Sequence, residues 1–409
     1  YKIYEPFIRK AAGFGVVTTD HDKERYEHKY EYCDLLVAGS GPSGLASAYA
    51  AAKNGANVIL AEDKPRFGGS LLTSDVNIGN QTGKDWAGKI VAELKAMPNV
   101  IVKNRSQVFG YYDHNMLVMS ERISDHLPKS KKYTPKQRLW YIRSKEVIIS
   151  SGSIERPIVF GNNDTPGVVL ASAAREYLKV YGVLFGKKPL IFTNNDSAYE
   201  TAIEFKKNGI WPIVLDTRSN PESEIINEAK NLGIEIKFSH VVVAAKGYKK
   251  VKSAEIAKIS KNKKELNNIK NVDCDCICVS GFWTPTIHLA SQSGNKTKFN
   301  EKIDAFVPDK SKQKEVTLGS AKGVFTLEET IKTSFETGHE ISKKITNNDN
   351  KIIVPKVYEK KNTSHDKFWC VPLPKGKKYK RFLDFQNDVA VTDVELALRE
   401  GYRSIEHVK

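Results

Sequence analysis

The chain has 409 residues, with 64 Lys and Arg against 48 Asp and Glu and a formal net charge of +16. That length accommodates two or three domains with cores of their own. The longest apolar runs fall well short of the ~20 residues of a helical membrane span. Five irregularly spaced cysteines exclude a disulfide scaffold.

The positive excess gathers in Lys-rich segments at 129–138, 246–270, 343–361 and 375–381. Nucleic-acid surfaces carry Arg and aromatics on a recognisable module, and none is present. These segments read as solvated faces, with docking of an acidic partner subunit as the alternative. No secretory apolar core follows Tyr1, so a cytoplasmic location is expected. The chain opens without Met and closes on REGYRSIEHVK without a helix cap, so both ends read as cut from a longer protein.

Residues 1–30 read as a polar arm whose YEPFIRKAAGFG can dock on a partner or a neighbouring domain. Asp34 to Gly44, DLLVAGSGPSG, then runs an apolar strand into a glycine turn. A small-residue helix follows, then a second apolar run, Val58 to Leu60, closing on Glu62. Gly39 allows the tight turn, Gly41 lets the backbone approach a diphosphate, and Gly44 lets the helix pack on the strand. The helix start offers free N–H groups to the phosphates. Glu62 stands where an acid receives ribose hydroxyls, about 20 residues on. This argues for NAD or FAD over a phosphorylated ribose. The alternative is an ordinary βαβ turn.

Next, Gly68-Gly69-Ser70 is either a plain turn or a close pass over the cofactor. Trp86 to Met97 reads as an amphipathic helix, and Asn99 to Val108 as a strand and turn. Tyr111–Ser120 and Leu139–Ile142 read as antiparallel strands. Glu146 to Ser153 is an apolar strand ending in small residues, of the kind that returns beside the cofactor in two-domain flavoprotein folds. Glu155 and Arg156, just beyond it, read as a structural ion pair or as cofactor neighbours.

A second βαβ unit follows: Leu190–Thr193, a turn Asn194-Asn195-Asp196-Ser197, helix Tyr199–Asn208, strand Trp211–Leu215 and Asp216. Side chains crowd the turn where a diphosphate needs bare backbone, so this unit is expected to bind a dinucleotide poorly or not at all. Cys274, Cys276 and Cys278 alternate, which puts all three on one strand face. They read as buried strand cysteines, because no CxxC or His pair completes a metal site. Val272 to Gly281 is expected to return to the first domain. Gly319 to Gly323 then opens a helix reaching about Lys344, as a phosphate contact or a core turn. Residues 346–361 read as a linker, and Thr392–Glu400 as a capped helix.

The expected class is α/β: a two-dinucleotide-binding-domain, flavoprotein-like Rossmann fold with a smaller inserted βαβ domain and the start of a further domain. The boundaries are 1–30 for the arm, 31–167 with 272–345 for the dinucleotide-binding domain, 168–271 for the insert, and 346–409 for the linker and the opening of the C-terminal domain. The nine histidines lie at no ligand or triad spacing, so neither a catalytic residue nor a metal site is assigned.

Several stretches resemble the alpha subunits of heterotetrameric sarcosine oxidases. They are YEPFIRKAAGFG, CDLLVAGSGPSGLASAYAAAKNGA, FGGSLL, SSGSIERPIVFGNNDTPGVVLASAAREYL, FTNNDSAYETA, CVSGFWTPTIHLASQSG and DFQNDVAVTDVELALREGYRSIEHVK. The resemblance implies an oxidase that demethylates sarcosine with oxygen, giving glycine, hydrogen peroxide and, with tetrahydrofolate, methylenetetrahydrofolate. It implies NAD bound by this chain, FMN at the interface with the beta subunit, FAD in the beta subunit, and gamma and delta partners. It places the NAD contacts at Gly39, Gly41, Ser43, Gly44, Glu62, Asp63, Lys64, Gly69, Ser70, Val108, Ser320, Phe325 and Leu327. Ser43 stands where the family often has Ala. The folate-binding, aminomethyltransferase-like domain is expected beyond Lys409. Alternative readings are an alpha-like subunit of an opine, proline or amino-acid dehydrogenase, and a non-catalytic cofactor-binding assembly subunit.

Overall fold

In the computed structural model, which describes residues 3–15, 18–129, 131, 133–360 and 365–408, two 13-residue strands form the spine of the first sheet. Tyr26–Ala38 and Gln137–Ile149 run parallel, in register from Tyr26↔Gln137 to Ala38↔Ile149. The first strand therefore begins inside the stretch read as an arm. Val58–Ala61 and Val100–Lys103 extend the sheet in parallel. On the other side the spine forks. Gln137–Arg143 pairs antiparallel with Met116–Arg122, and Val147–Ile149 pairs parallel with Glu315–Thr317. The two strands expected at 139–142 and from 146 are thus one. Ser106–Tyr112 closes that edge.

Leu35–Ala38 and Val147–Ile149 are buried on both faces. Helices Pro42–Lys53, Gly83–Ala96 and Leu327–Thr346 cover one face, packing Leu45, Ile90, Ile331 and Phe335 onto Leu35, Val37 and Leu60. Leu117, Trp140 and Ile142 build the other core with Leu36 and Ile59. Helices 42–53 and 327–346 meet backbone to backbone: a Cβ on Gly338 would lie 2.3 Å from the Ser47 carbonyl oxygen.

The second sheet is wholly parallel, in the order Val168–Leu170, Cys276–Ser280, Pro189–Thr193, Ile213–Asp216, Glu235–Phe238. Helices Ala171–Tyr181, Ser197–Lys207 and Glu224–Asn231 lie on one face. An antiparallel sheet of His240–Lys246, Ser253–Ile259 and Leu266–Asp273 lies on the other.

Two expectations are corrected here. Residues 272–281 do not return to the first sheet, because Cys276–Ser280 sits inside the second, between two parallel neighbours. A strand buried at every position reads alike for either sheet, so its pattern could not choose the partner. The chain rejoins the first unit later, through Trp283–Pro285 against Ser153–Glu155 and then Glu315–Thr317. Nor do the three cysteines share a face. Cys276 and Cys278 pack towards the helices, whereas Cys274 precedes the strand and packs with Ile277 and Val279 on the opposite side.

Residues beyond the long helix cross both units. Val357–Tyr358 pairs with Asn77–Ile78, and Asn163 brackets Phe382, accepting its N–H and donating to its carbonyl. The expected C-terminal helix is Val391–Arg399, with Asp393 accepting the Ala390 N–H. Among the described residues, no helix is long and apolar enough to cross a membrane.

Candidate dinucleotide site

The glycine turn is built by contacts that exclude side chains at two positions and leave the third open. Gly39 has φ +101°, and a Cβ there would lie 2.3 Å from the Ser150 carbonyl oxygen. A Cβ on Gly44 would lie 1.9 Å from the Gly39 carbonyl oxygen, so strand and helix meet main chain to main chain. Gly41 differs. Its φ of −65° suits any residue, and a Cβ there would meet nothing within 4 Å. The space lies over the first turn of helix Pro42–Lys53, where backbone N–H groups lack intrahelical acceptors and the dipole favours negative charge. A cradle that a side chain would fill fits a diphosphate.

One side of the cradle is closed by Gly69, at φ +53°, whose Cβ would come 2.8 Å from Gly41 Cα. The opposite wall is the end of the spine. Ser43 Oγ lies 3.2 Å from Ser150 Oγ, and Gly319, at φ +63°, stands over Ser43, where a Cβ would lie a tight 3.0 Å from Ser43 Cβ. A Cβ on Gly152 would reach Ser320 Oγ at 4.0 Å. Gly39, Gly41, Ser43, Gly44, Gly69 and Ser320 therefore converge. Ser150 and Gly319 belong with them, and Ser150 lies in the small-residue end of the strand expected to return beside the cofactor.

Glu62 ends the second strand, 6% exposed, with its carboxylate turned back onto the turn. It accepts the Ser40 N–H at 2.9 Å, the Ser40 hydroxyl, and the Lys64 N–H at 3.0 Å. Burial, joined by a hydrogen bond shared with Asp63, holds the Glu62 carboxyl above the usual carboxylate range, against the donors from Ser40 and Lys64. A carboxylate has about four lone-pair sites, of which Ser40 and Lys64 fill three, so at most one is left for a ribose hydroxyl.

The remaining residues stand further out. Asp63 is exposed beside Glu62. Lys64 turns away, its Nζ 2.8 Å from Glu176 in the second unit. Ser70 is exposed, and its carbonyl accepts from Thr73 and Ser74. Val108 lies on the strand whose first N–H, from Ser106, bonds the Glu62 carbonyl. Phe325 packs edge-on to Phe282, ring centroids 5.1 Å apart. Leu327 starts the long helix, but its N–H and that of Glu328 each donate to Glu359 at 2.9 Å. That helix end is capped by the chain's own carboxylate.

Glu155 and Arg156 are held structurally. Glu155 accepts the Ser172 N–H at 2.8 Å, and burial raises its pKa. Arg156 donates to the carbonyls of Asp304 and Ile303. Among the described residues no cluster of His, Cys, Asp and Glu is placed to hold a metal.

An FAD dependent oxidoreductase family matches residues 34–109, and a sarcosine oxidase A3 domain family matches 378–409. The crystal structure of L-proline dehydrogenase from P. horikoshii superposes with a TM-score of 0.64 at 17% identity, covering 96% of this chain and 71% of that one, and so shares the flavoprotein-like α/β fold. The sarcosine oxidase subunit alpha of Rhizobium meliloti (strain 1021) is 35% identical over all of this chain and 40% of its own length. That of Corynebacterium sp. (strain P-1) is 32% identical over 97% of this chain and 42% of its own. Matched from end to end, and spanning about two-fifths of those relatives, the chain is a homologue of the sarcosine oxidase alpha subunits.

Proposed function

We propose that the chain is the dinucleotide-binding part of the alpha subunit of a heterotetrameric sarcosine oxidase, with NAD held at the glycine turn. The observation carrying this reading is the open cradle at Gly41, with the buried Glu62 carboxylate turned back onto the same turn. In it Gly41 and the first turn of helix 42–53 hold the diphosphate, Glu62 holds a ribose, and Ser43, Ser320 and Gly69 wall the cradle. When bound, NAD supplies a two-electron hydride acceptor. The whole complex, with oxygen as electron acceptor and tetrahydrofolate as one-carbon acceptor, converts sarcosine to glycine, hydrogen peroxide and methylenetetrahydrofolate, with FAD in the beta subunit, FMN between alpha and beta, and gamma and delta subunits completing it.

The nucleotide is tested by denaturing the purified chain. An ultraviolet-absorbing nucleotide without visible colour supports NAD, and a yellow extract assigns the cradle to FAD instead. The activity is tested by co-purifying the chain, within its full-length subunit, with beta and assaying peroxide from sarcosine. Absent turnover would count against the oxidase reading, and turnover faster with opines or proline would favour the dehydrogenase one.

A further inference from the structure

The second parallel sheet has the same order as the first: strand Pro189–Thr193, a bend, helix Ser197–Lys207, strand Ile213–Asp216 and an acid. In a nucleotide-binding unit the bend offers bare backbone and the acid takes ribose hydroxyls. Both positions are already spent. Asp216, fully buried, accepts Arg218 N–H and Nε at 2.9 and 3.0 Å on one oxygen, and Arg218 Nη2 and the Tyr199 hydroxyl at 2.7 and 2.8 Å on the other. Arg218 Nη1 reaches Asp196 at 2.7 Å. One guanidinium thus bridges the acid to the bend.

The crevice over the bend is filled by residues 365–371. Asn194 donates its amide to the carbonyls of Asp366 and Phe368, at 2.7 and 3.2 Å, and accepts the Asp366 N–H on its own carbonyl at 2.9 Å. Val159 donates to Trp369 and accepts from Val371, both at 2.8 Å. Phe368 and Val371 are buried in the core of this unit with Phe160 and Phe192. His365 stacks on Phe282 at 4.0 Å and 8°, and Arg156 lies 4.1 Å over Trp369. From the strap, Val371 accepts Arg381 Nη1 at 3.0 Å, next to the Phe382 that Asn163 brackets.

We infer that this Rossmann-like unit is a receptor for its own chain. Its nucleotide crevice is the docking site of the strap His365–Val371, which fixes the segment from Arg381 onward relative to the dinucleotide cradle. The chain then binds one dinucleotide, not two. Main-chain pairing, an Asn reading two carbonyls and a buried Phe are the terms of peptide recognition by strand addition.

Hydrogen exchange read by mass spectrometry on the 409-residue chain tests this. The 365–371 amides are expected to be protected and indifferent to millimolar NAD, NADPH or FAD. Asn194→Gly and Phe368→Ala each remove strap contacts and should raise exchange in 365–371 by about tenfold, with 35–62 unchanged. Equilibrium dialysis of the unmodified chain should find no more than one dinucleotide per chain, a readout needing no variant. A ratio of two, unprotected strap amides, or strap exchange that shifts when a dinucleotide is added would overturn the inference. A ratio of zero would instead count against the Gly41 cradle and leave the strap result standing.

Discussion

At the scale of single residues, the three glycines of the turn separate folding from binding. A Cβ at Gly44 meets the Gly39 carbonyl at 1.9 Å and one at Gly39 meets Ser150 at 2.3 Å, both main chain that cannot step aside. Gly44→Ala should therefore cost about 3 kcal/mol by forced backbone displacement, read as a fall in the denaturant midpoint. Gly41→Val faces empty space at an unstrained φ. As the N-cap of helix 42–53 it should cost about 1 kcal/mol of stability, far less than Gly44→Ala, while dinucleotide retention is lost; unchanged retention would place the diphosphate elsewhere. Glu62 adds a pH dependence. In the proposed site a ribose hydroxyl would donate to its ionised form, and burial raises its pKa. Affinity should hold at neutral pH and weaken as pH falls through that raised value, earlier than an ordinary carboxylate would dictate. Titrating affinity in Glu62→Gln should give a weaker and flat profile, and a retained pH slope would assign the titration to another group.

At the scale of elements, what was legible in the sequence is what local backbone demands dictate. Gly39 answers a positive φ and Gly44 a close main-chain approach within one turn, and the strand–helix–strand order around them is periodic. Partnerships between distant segments were not legible. Cys276–Ser280 is apolar and buried throughout, a pattern that suits the centre of either parallel sheet, so only pairing in space assigns it to the second. Arg218, two positions beyond the acid Asp216, is only 8% exposed because Asp216 and Asp196 converge on it. Glu359 reaches the start of the long helix from a remote loop for the same reason. Helix packing offers a further test. Gly338 lies opposite Ser47 with no space for a methyl group. Gly338→Ala gains up to ~1 kcal/mol of helix propensity against an overpacking cost of about 1–3 kcal/mol, so a net loss is expected. Helix 327–346 follows directly on the Gly319 turn that stands over Ser43, so dinucleotide affinity should fall with stability. A fall in the thermal midpoint with affinity intact would show the turn to be held independently of the helix.

At the scale of the whole molecule, the two units are joined by charge as well as by chain. Asp75 of the first unit lies between Lys179 and Lys207 of the second, at 2.5 and 2.7 Å, and Lys64 crosses to Glu176. Burial alone would raise the Asp75 pKa, but the two lysines outweigh it and bring it to about 2. A carboxyl depressed in the folded state contributes stability above its unfolded pKa of ~3.9 and loses it as pH falls towards the folded value. Asp75→Asn should therefore be less stable than wild type at pH 7 by under ~1 kcal/mol per pair, since these side chains are partly solvated. The gap should narrow below about pH 4. Salt provides an independent check, because the Debye length falls from ~10 Å at 0.1 M to ~3 Å at 1 M. The variant and wild-type midpoints should converge at high salt while the apolar cores hold. A gap that persists in 1 M salt would mean that Asp75 acts by packing against Lys179 and Lys207 rather than by charge.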